Sequence, residues 1–228
     1  MSAAFSDEAW TLTAGLRAQI DELDFLRELG DGTLDMDDFL FYLRQDSFYL
    51  TGYAKALAFV ATHAPDPQSA AFWAGAAAEA STGETELHET LLPHGRAEEV
   101  REPLQASPTS LGYTSYLVAT AATESYAVAA AALLPCFWVY ADVSARLAVH
   151  AHDVLAADPR HPFAQWVANY DGEDFQHAVA EARRWTDAAA EQVGADERQR
   201  MLDAFLIATR YELLFWRTAK LRERWPEH

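Results

Sequence analysis

Cys136 is the only cysteine in 228 residues, and it follows Pro135 inside a stretch rich in alanine and aromatic residues. A lone thiol makes no intramolecular disulfide, and it cannot by itself build a zinc site. It is therefore either a filler of core space, the common fate of a free cysteine, or a nucleophile. Pro135 has no N–H to give and should disrupt the preceding turn, so a helix is expected to restart near Cys136. A thiol at a helix N-terminus has a lowered pKa and a larger thiolate fraction at neutral pH. Tyr140 lies four residues on and shares the face of Cys136.

Two carboxylates invite the same question. Tyr42, Asp46, Tyr49 and Tyr53 are spaced by four, three and four residues, so one helical stripe presents three phenols and a carboxylate. Three tyrosines suit solvent poorly, and a buried Asp46 needs a partner to offset its desolvation. A half-polar cavity satisfies both demands. Near the C-terminus, Glu212 has Tyr211 beside it and Phe215 and Trp216 at i+3 and i+4. Desolvated among rings, such a carboxyl holds its proton toward neutrality and can serve as an acid or base. A surface glutamate beside Arg217 is the alternative.

Helices must carry these groups. Ten glycines and nine prolines fall mostly at joints between stretches of helical periodicity. The pattern predicts helices over about 7–29 (behind a Ser6 cap), from past Leu34 to His63, and over 68–92. A polar connector follows at roughly 96–110. Further helices are expected over 111–133, 135–155, a short one ending near Tyr170, 173–193 and 196–224. No stretch shows strand-like alternation. The expectation is an all-α bundle of seven to nine helices, with residues 1–228 forming one domain.

Composition narrows the function. The formal charge is −18, from 35 acidic and 17 basic residues, and Lys55 and Lys220 are the only lysines. Such a surface repels a phosphate backbone, which argues against nucleic acid. The acidity fits either a general Ala/Arg/Asp/Glu bias or adaptation to high salt. No apolar run is read as approaching the ~20 residues that span a bilayer. The N-terminus also lacks the basic and apolar regions of a signal peptide. A cytoplasmic protein without membrane contact is expected.

The motifs together resemble the TenA family, also called thiaminase II. The resemblance starts with Phe25-Leu26-Arg27-Glu28-Leu29-Gly30-Asp31-Gly32-Thr33-Leu34, then Phe39, Tyr42-Leu43 and Gln45 to Leu50. It continues with the Ala-Leu-Leu-Pro-Cys-x-Trp-x-Tyr run of Ala132 to Tyr140 and the joint Asp158 to Pro162. Trp166 to Tyr170 before Phe175, and Tyr211-Glu212 with Phe215-Trp216, complete it. The resemblance implies a haem-oxygenase-like helical fold, usually tetrameric. It also implies hydrolysis at the methylene of an aminopyrimidine: aminomethylpyrimidine to hydroxymethylpyrimidine and ammonia, and in many members cleavage of thiamine. Site residues carry over to Asp46, Tyr49, Tyr113, Cys136, Tyr140, Tyr170, Glu212 and Phe215, with Tyr116 an alternative to Tyr113. One branch of the family lacks the cysteine that this chain keeps.

These residue types suit that reaction. A thiolate from Cys136 can add to the unsubstituted ring carbon, turning the ring into an enamine that expels the substituent; water then attacks the exocyclic methylene. Glu212 would protonate the ring nitrogen, and Asp46 would orient the ring through its exocyclic amine and activate the thiol or the water. Tyr49, Tyr113, Tyr140 and Tyr170 would surround the heterocycle, with Phe215 as an apolar wall. No metal and no organic cofactor is required. Three rivals stand beside this reading. Haem binding on this fold uses a first-helix histidine, whereas the first histidine here is His63. A two-metal site could draw on the pairs Glu84/His88 and Glu173/His177, with His150 and His152. The third is a pyrimidine-binding regulator without turnover.

Overall fold

The computed structural model describes residues 4–91, 105–158 and 160–226. Most of the expected polar connector and Pro159 lie outside the described residues, as do the side chains of Glu84, His88 and His150.

Every regular element among the described residues is helical, and there are ten. They are α1 (Phe5–Leu12), α2 (Ala14–Asp21), α3 (Asp24–Gly30), α4 (Met36–His63), α5 (Pro67–Leu91), α6 (Pro108–Thr123), α7 (Tyr126–Ala157), α8 (Pro162–Asp171), α9 (Glu173–Glu191) and α10 (Ala195–Leu221).

The expected first helix is in fact three. Thr13 is fully buried and turns its hydroxyl back onto the carbonyls of Ala9 and Trp10 at 3.0 and 3.3 Å. Such local bonds compete with the helical ladder, and the chain steps out of it there. A second break falls at Leu23, whose backbone is extended. Ser6 is not the cap of α1. It lies inside the first turn, where its N–H and hydroxyl donate to Asp187 at 2.7 and 2.8 Å and fasten α1 to α9.

Later helix starts follow ordinary capping chemistry. Asp35 accepts from the N–H groups of Asp37 and Asp38 to begin α4, Asp66 accepts from Gln68 and Ser69 beside the start of α5, and Ser107 accepts from Ser110 to begin α6.

One sequence expectation fails in a way that bears on function. No helix restarts at Pro135, because α7 runs through it without interruption. The break lies upstream, at Glu124 and Ser125, where the Ser125 hydroxyl caps α7. Proline removes one rung of the ladder, but the alanine-rich turn before it is buried from all sides: Ala129, Ala130 and Ala131 are fully enclosed. The packing around α7 thus outweighs the local penalty. Tyr53 donates a hydrogen bond to the Leu133 carbonyl at 2.9 Å, beside the proline. The stretch Tyr126–Val149 of α7 is also long and apolar enough to cross a membrane, contrary to the sequence reading. It is the central helix of the core, and 83% of its most apolar window is buried.

Helix α7 packs along α8, α9 and α10, while α4 packs along α5 and α6. Gly52 permits the α4–α6 crossing: a Cβ there would lie 2.7 Å from Cβ of Thr114. On the outer face of α7, Trp138 stacks on Trp10 of α1 with ring centroids 4.0 Å apart. Guanidinium groups close the stack at both ends, Arg17 over Trp10 at 3.6 Å and Arg183 over Trp138 at 3.9 Å.

Candidate active site

On the opposite face of α7, Cys136 opens onto a cavity of about 220 Å³. Pockets for drug-sized ligands run to roughly 300–1,000 Å³, so this one suits a smaller molecule. Helix α4 contributes Asp46, Tyr49 and Tyr53 to its wall, α7 contributes Cys136, Phe137 and Tyr140, and α8 contributes Tyr170. The periodicity of the α4 stripe is what brings its three groups to one side. Tyr49 and Tyr53 lie almost parallel, with centroids 5.5 Å apart, and Tyr140 packs against Tyr170 at 5.1 Å. Tyr42, the fourth residue of the stripe, lies deeper. It stacks on Trp216 at 5.4 Å, and its hydroxyl meets that of Tyr140 at 3.3 Å.

Glu212, Tyr113 and Phe215 do not line the cavity. The expectation of a single chamber holding all the site residues is corrected here: these three form a layer behind Tyr49. The Tyr49 ring packs on Tyr113 at 4.9 Å and on Phe215 at 5.4 Å. Tyr113 donates to Oε1 of Glu212 at 2.6 Å, whereas Tyr116 donates to the Ala204 carbonyl at 3.3 Å. Tyr113, and not its neighbour, therefore belongs to the carboxyl's surroundings. Tyr211 stacks on the far side of Tyr113 at 5.1 Å.

Burial sets the protonation of this region. Glu212 is 1% exposed, and desolvation lifts its pKa to about 8 against the opposing bond from Tyr113. Its Oε2 accepts no hydrogen bond among the described residues. At neutral pH the carboxyl is therefore mostly protonated, and its O–H has no fixed acceptor. The surface alternative for Glu212 is excluded by this burial.

The thiol departs from expectation in the opposite sense. Cys136 sits mid-helix, and burial pushes its pKa well above the ordinary value, with the Glu212 charge adding to the rise. Nearby hydroxyls of Tyr49 and Tyr53 and the charge of Asp46 are smaller influences, the phenols lowering it and Asp46 raising it. A helix-end activation of the sulfur does not operate in this structure. The Tyr49 hydroxyl makes no hydrogen bond of good geometry, yet it lies close enough to lower the pKa of both Cys136 and Tyr113. It stands between the thiol and the Tyr113–Glu212 pair.

Sequence reasoning missed much of the cavity's outer wall. Ala76, Glu79 and Ala80 come from α5, Asn169 from α8, and Phe175 and Ala178 from α9. Among these, only Phe175 and Asn169, which falls within the Trp166 to Tyr170 stretch, lay in a motif. Among the described residues no group of three or more His, Cys, Asp or Glu side chains is placed to hold a metal ion.

Fold and cavity together define an all-α protein with a thiol-bearing, aromatic-walled site for a small molecule. The chain belongs to the TENA/THI-4/PQQC family, whose model matches residues 21–223. It is 38% identical over 217 residues to the thiamine biosynthesis multifunctional protein ThiED of Corynebacterium efficiens, covering 95% of this chain and 28% of that protein. It therefore spans little more than a quarter of that longer relative. It is 35% identical over 205 residues to the aminopyrimidine aminohydrolase of Bacillus subtilis, covering 89% of this chain and 84% of that enzyme. Among solved structures it resembles a TenA homologue from P. horikoshii OT3, with a TM-score of 0.84 at 26% identity over 95% of this chain and 98% of that one. The arrangement is the heme oxygenase-like fold. A Shewanella denitrificans domain described by that fold superposes with a TM-score of 0.73 at 14% identity, over 97% of this chain and 94% of that one.

Proposed function

We propose that this protein is an aminopyrimidine aminohydrolase that replaces the amine of a 5-aminomethylpyrimidine with hydroxyl, and that cleavage of thiamine is a further activity of the same site. The observation that carries this reading is the shared cavity of Cys136 and Asp46, small and walled by phenols, in a chain of this family. The kinship with the Bacillus subtilis aminohydrolase supports it.

The raised thiol pKa shapes the mechanism. Because burial keeps the proton on sulfur, addition to the ring needs a base within the cavity, and Asp46 is the wall carboxylate near the thiol. Cys136 Sγ bonds to the unsubstituted ring carbon as its proton passes to Asp46. A ring nitrogen takes a proton derived from Glu212, which reaches the cavity side through Tyr113 and Tyr49. Electron density pushed from the dearomatised ring breaks the C–N bond, and its electron pair leaves with nitrogen, which takes the proton held on Asp46 and departs as ammonia. Water adds to the exocyclic methylene and gives a proton back to Asp46; sulfur then departs, the ring nitrogen loses its proton and aromaticity returns. The protons then go back to Glu212 and Cys136. Tyr140 and Tyr170 flank and orient the ring, and Phe215 backs Tyr49 from behind.

In this reading the chain acts as one domain over residues 1–228, in the cytoplasm, as a homotetramer, without metal or organic cofactor. The test is ammonia release from 4-amino-5-aminomethyl-2-methylpyrimidine by the purified protein, beside Cys136→Ser. Turnover in the wild type and loss in the variant supports the proposal. Tight pyrimidine binding with no turnover points instead to a binding or regulatory protein.

A further inference from the structure

The wall that sequence reasoning missed has chemistry of its own. Ala76, Glu79, Asn169, Phe175 and Ala178 line the aromatic cavity and also a surface cleft between α5 and α9. Cavity and cleft thus share one wall, and on that wall Glu79 and Asn169 are exposed to solvent. Among the described residues no lysine or arginine lines either space. The cleft's other described ionisable groups are Asp174, His177 and Glu181. Glu181 is held by Arg184 at 2.6 Å, which offsets its charge. Glu79 has no ion pair among the described residues, and of these carboxylates it alone lines the cavity as well as the cleft.

We infer that Glu79 is a specificity-determining residue, selecting pyrimidines whose reacting methylene carries a positively charged substituent: a protonated amine or a thiazolium. The inference rests on the aminopyrimidine reading and names which substrates that site prefers. With the ring's polar edge at Asp46 and its reacting carbon at Cys136, the group to be expelled extends toward the opening. There it meets a carboxylate flanked by the apolar surfaces of Ala76 and Phe175, and low-dielectric walls concentrate its field. Asn169 supplies a neutral polar group on the facing helix. The same arrangement favours release, because the hydroxymethyl product is uncharged and loses the attraction that drew the substrate in.

The experiment compares wild type with Glu79→Gln on two pyrimidines that differ in this charge. The kcat/KM for the aminomethyl compound should fall by about three- to tenfold, the scale of one partly exposed charge pair. The inhibition constant of the hydroxymethyl compound should stay unchanged. Added salt should depress wild-type kcat/KM for the amine and affect the variant less. Equal shifts for both pyrimidines, or no shift for either, would overturn the inference. If the wild type shows no turnover, the aminohydrolase reading fails by itself. Calorimetric Kd values for the same two pyrimidines then decide the role of Glu79: a loss confined to the amine supports it, and any other pattern removes it.

Discussion

The two carboxylates of the site occupy different layers, and their surroundings differ accordingly. Asp46 stands on the cavity wall within reach of a ligand, among phenols and near the thiol. Glu212 lies behind Tyr49, fully buried, bonded by Tyr113 and protonated at neutral pH. One faces the cavity and the other is an enclosed proton store. Both side chains are nearly free of solvent, so what separates them is whether the cavity reaches them, as in other carboxylate pairs with divided roles.

The largest expected effect on this division is loss of the nucleophile on the wall side. Cys136→Ser should abolish ammonia release while leaving pyrimidine affinity, measured by calorimetry, close to wild type. Near-normal turnover in that variant would rule out covalent catalysis. Next is Glu212→Gln, which removes the stored proton but keeps the size of the side chain. Its kcat should fall by about 10²–10⁴-fold, the usual range for a lost general acid. A fall of less than about tenfold would place the proton elsewhere.

Stability against pH probes the same contrast. Glu212 has a folded pKa raised to about 8 from an ordinary value of 4.5. Below pH 4.5 the group is protonated in both folded and unfolded chains and costs nothing. As pH rises from there to about 8, the unfolded chain ionises while the folded one does not, so stability is lost progressively. Every tenfold difference in proton affinity corresponds to about 1.4 kcal/mol, so the loss amounts to a few kcal/mol. Glu212→Gln lacks this penalty. Urea unfolding at pH 5 and pH 8 should show the variant gaining on wild type as pH rises, and a constant difference would contradict the buried-acid assignment.

The smallest expected effect concerns the support behind the thiol. Tyr53→Phe removes the bond to the Leu133 carbonyl and should cost about 1 kcal/mol in denaturant unfolding.

Much of this arrangement was legible in the sequence where spacing and local chemistry agree. The four-three-four spacing of Tyr42, Asp46, Tyr49 and Tyr53 put these residues on one face, whereas the one cap read from the sequence, Ser6, lies inside its helix. The failures have tertiary causes. Pro135 argues for a break, but α7 is enclosed by α8, α9 and α10, and burial decides. The early helix splits at Thr13 because a buried hydroxyl finds backbone partners, which no glycine or proline announces. Glu79 was invisible, and Asn169 gained no role within its motif, because each is an ordinary surface residue on its own helix. Only the approach of α5 to α8 and α9 turns them into an opening.

Arg17, Trp10, Trp138 and Arg183 form a four-plane stack that ties α7 to α1, α2 and α9. Residues two apart on a helix point about 200° from one another, so Trp138 is fastened on the reverse of the turn that presents the sulfur. Twisting α7 about its axis would have to shear two tryptophans and unseat two cations. The clamp acts as an azimuthal lock, fixing the bearing of the reactive atom from a site that no substrate touches.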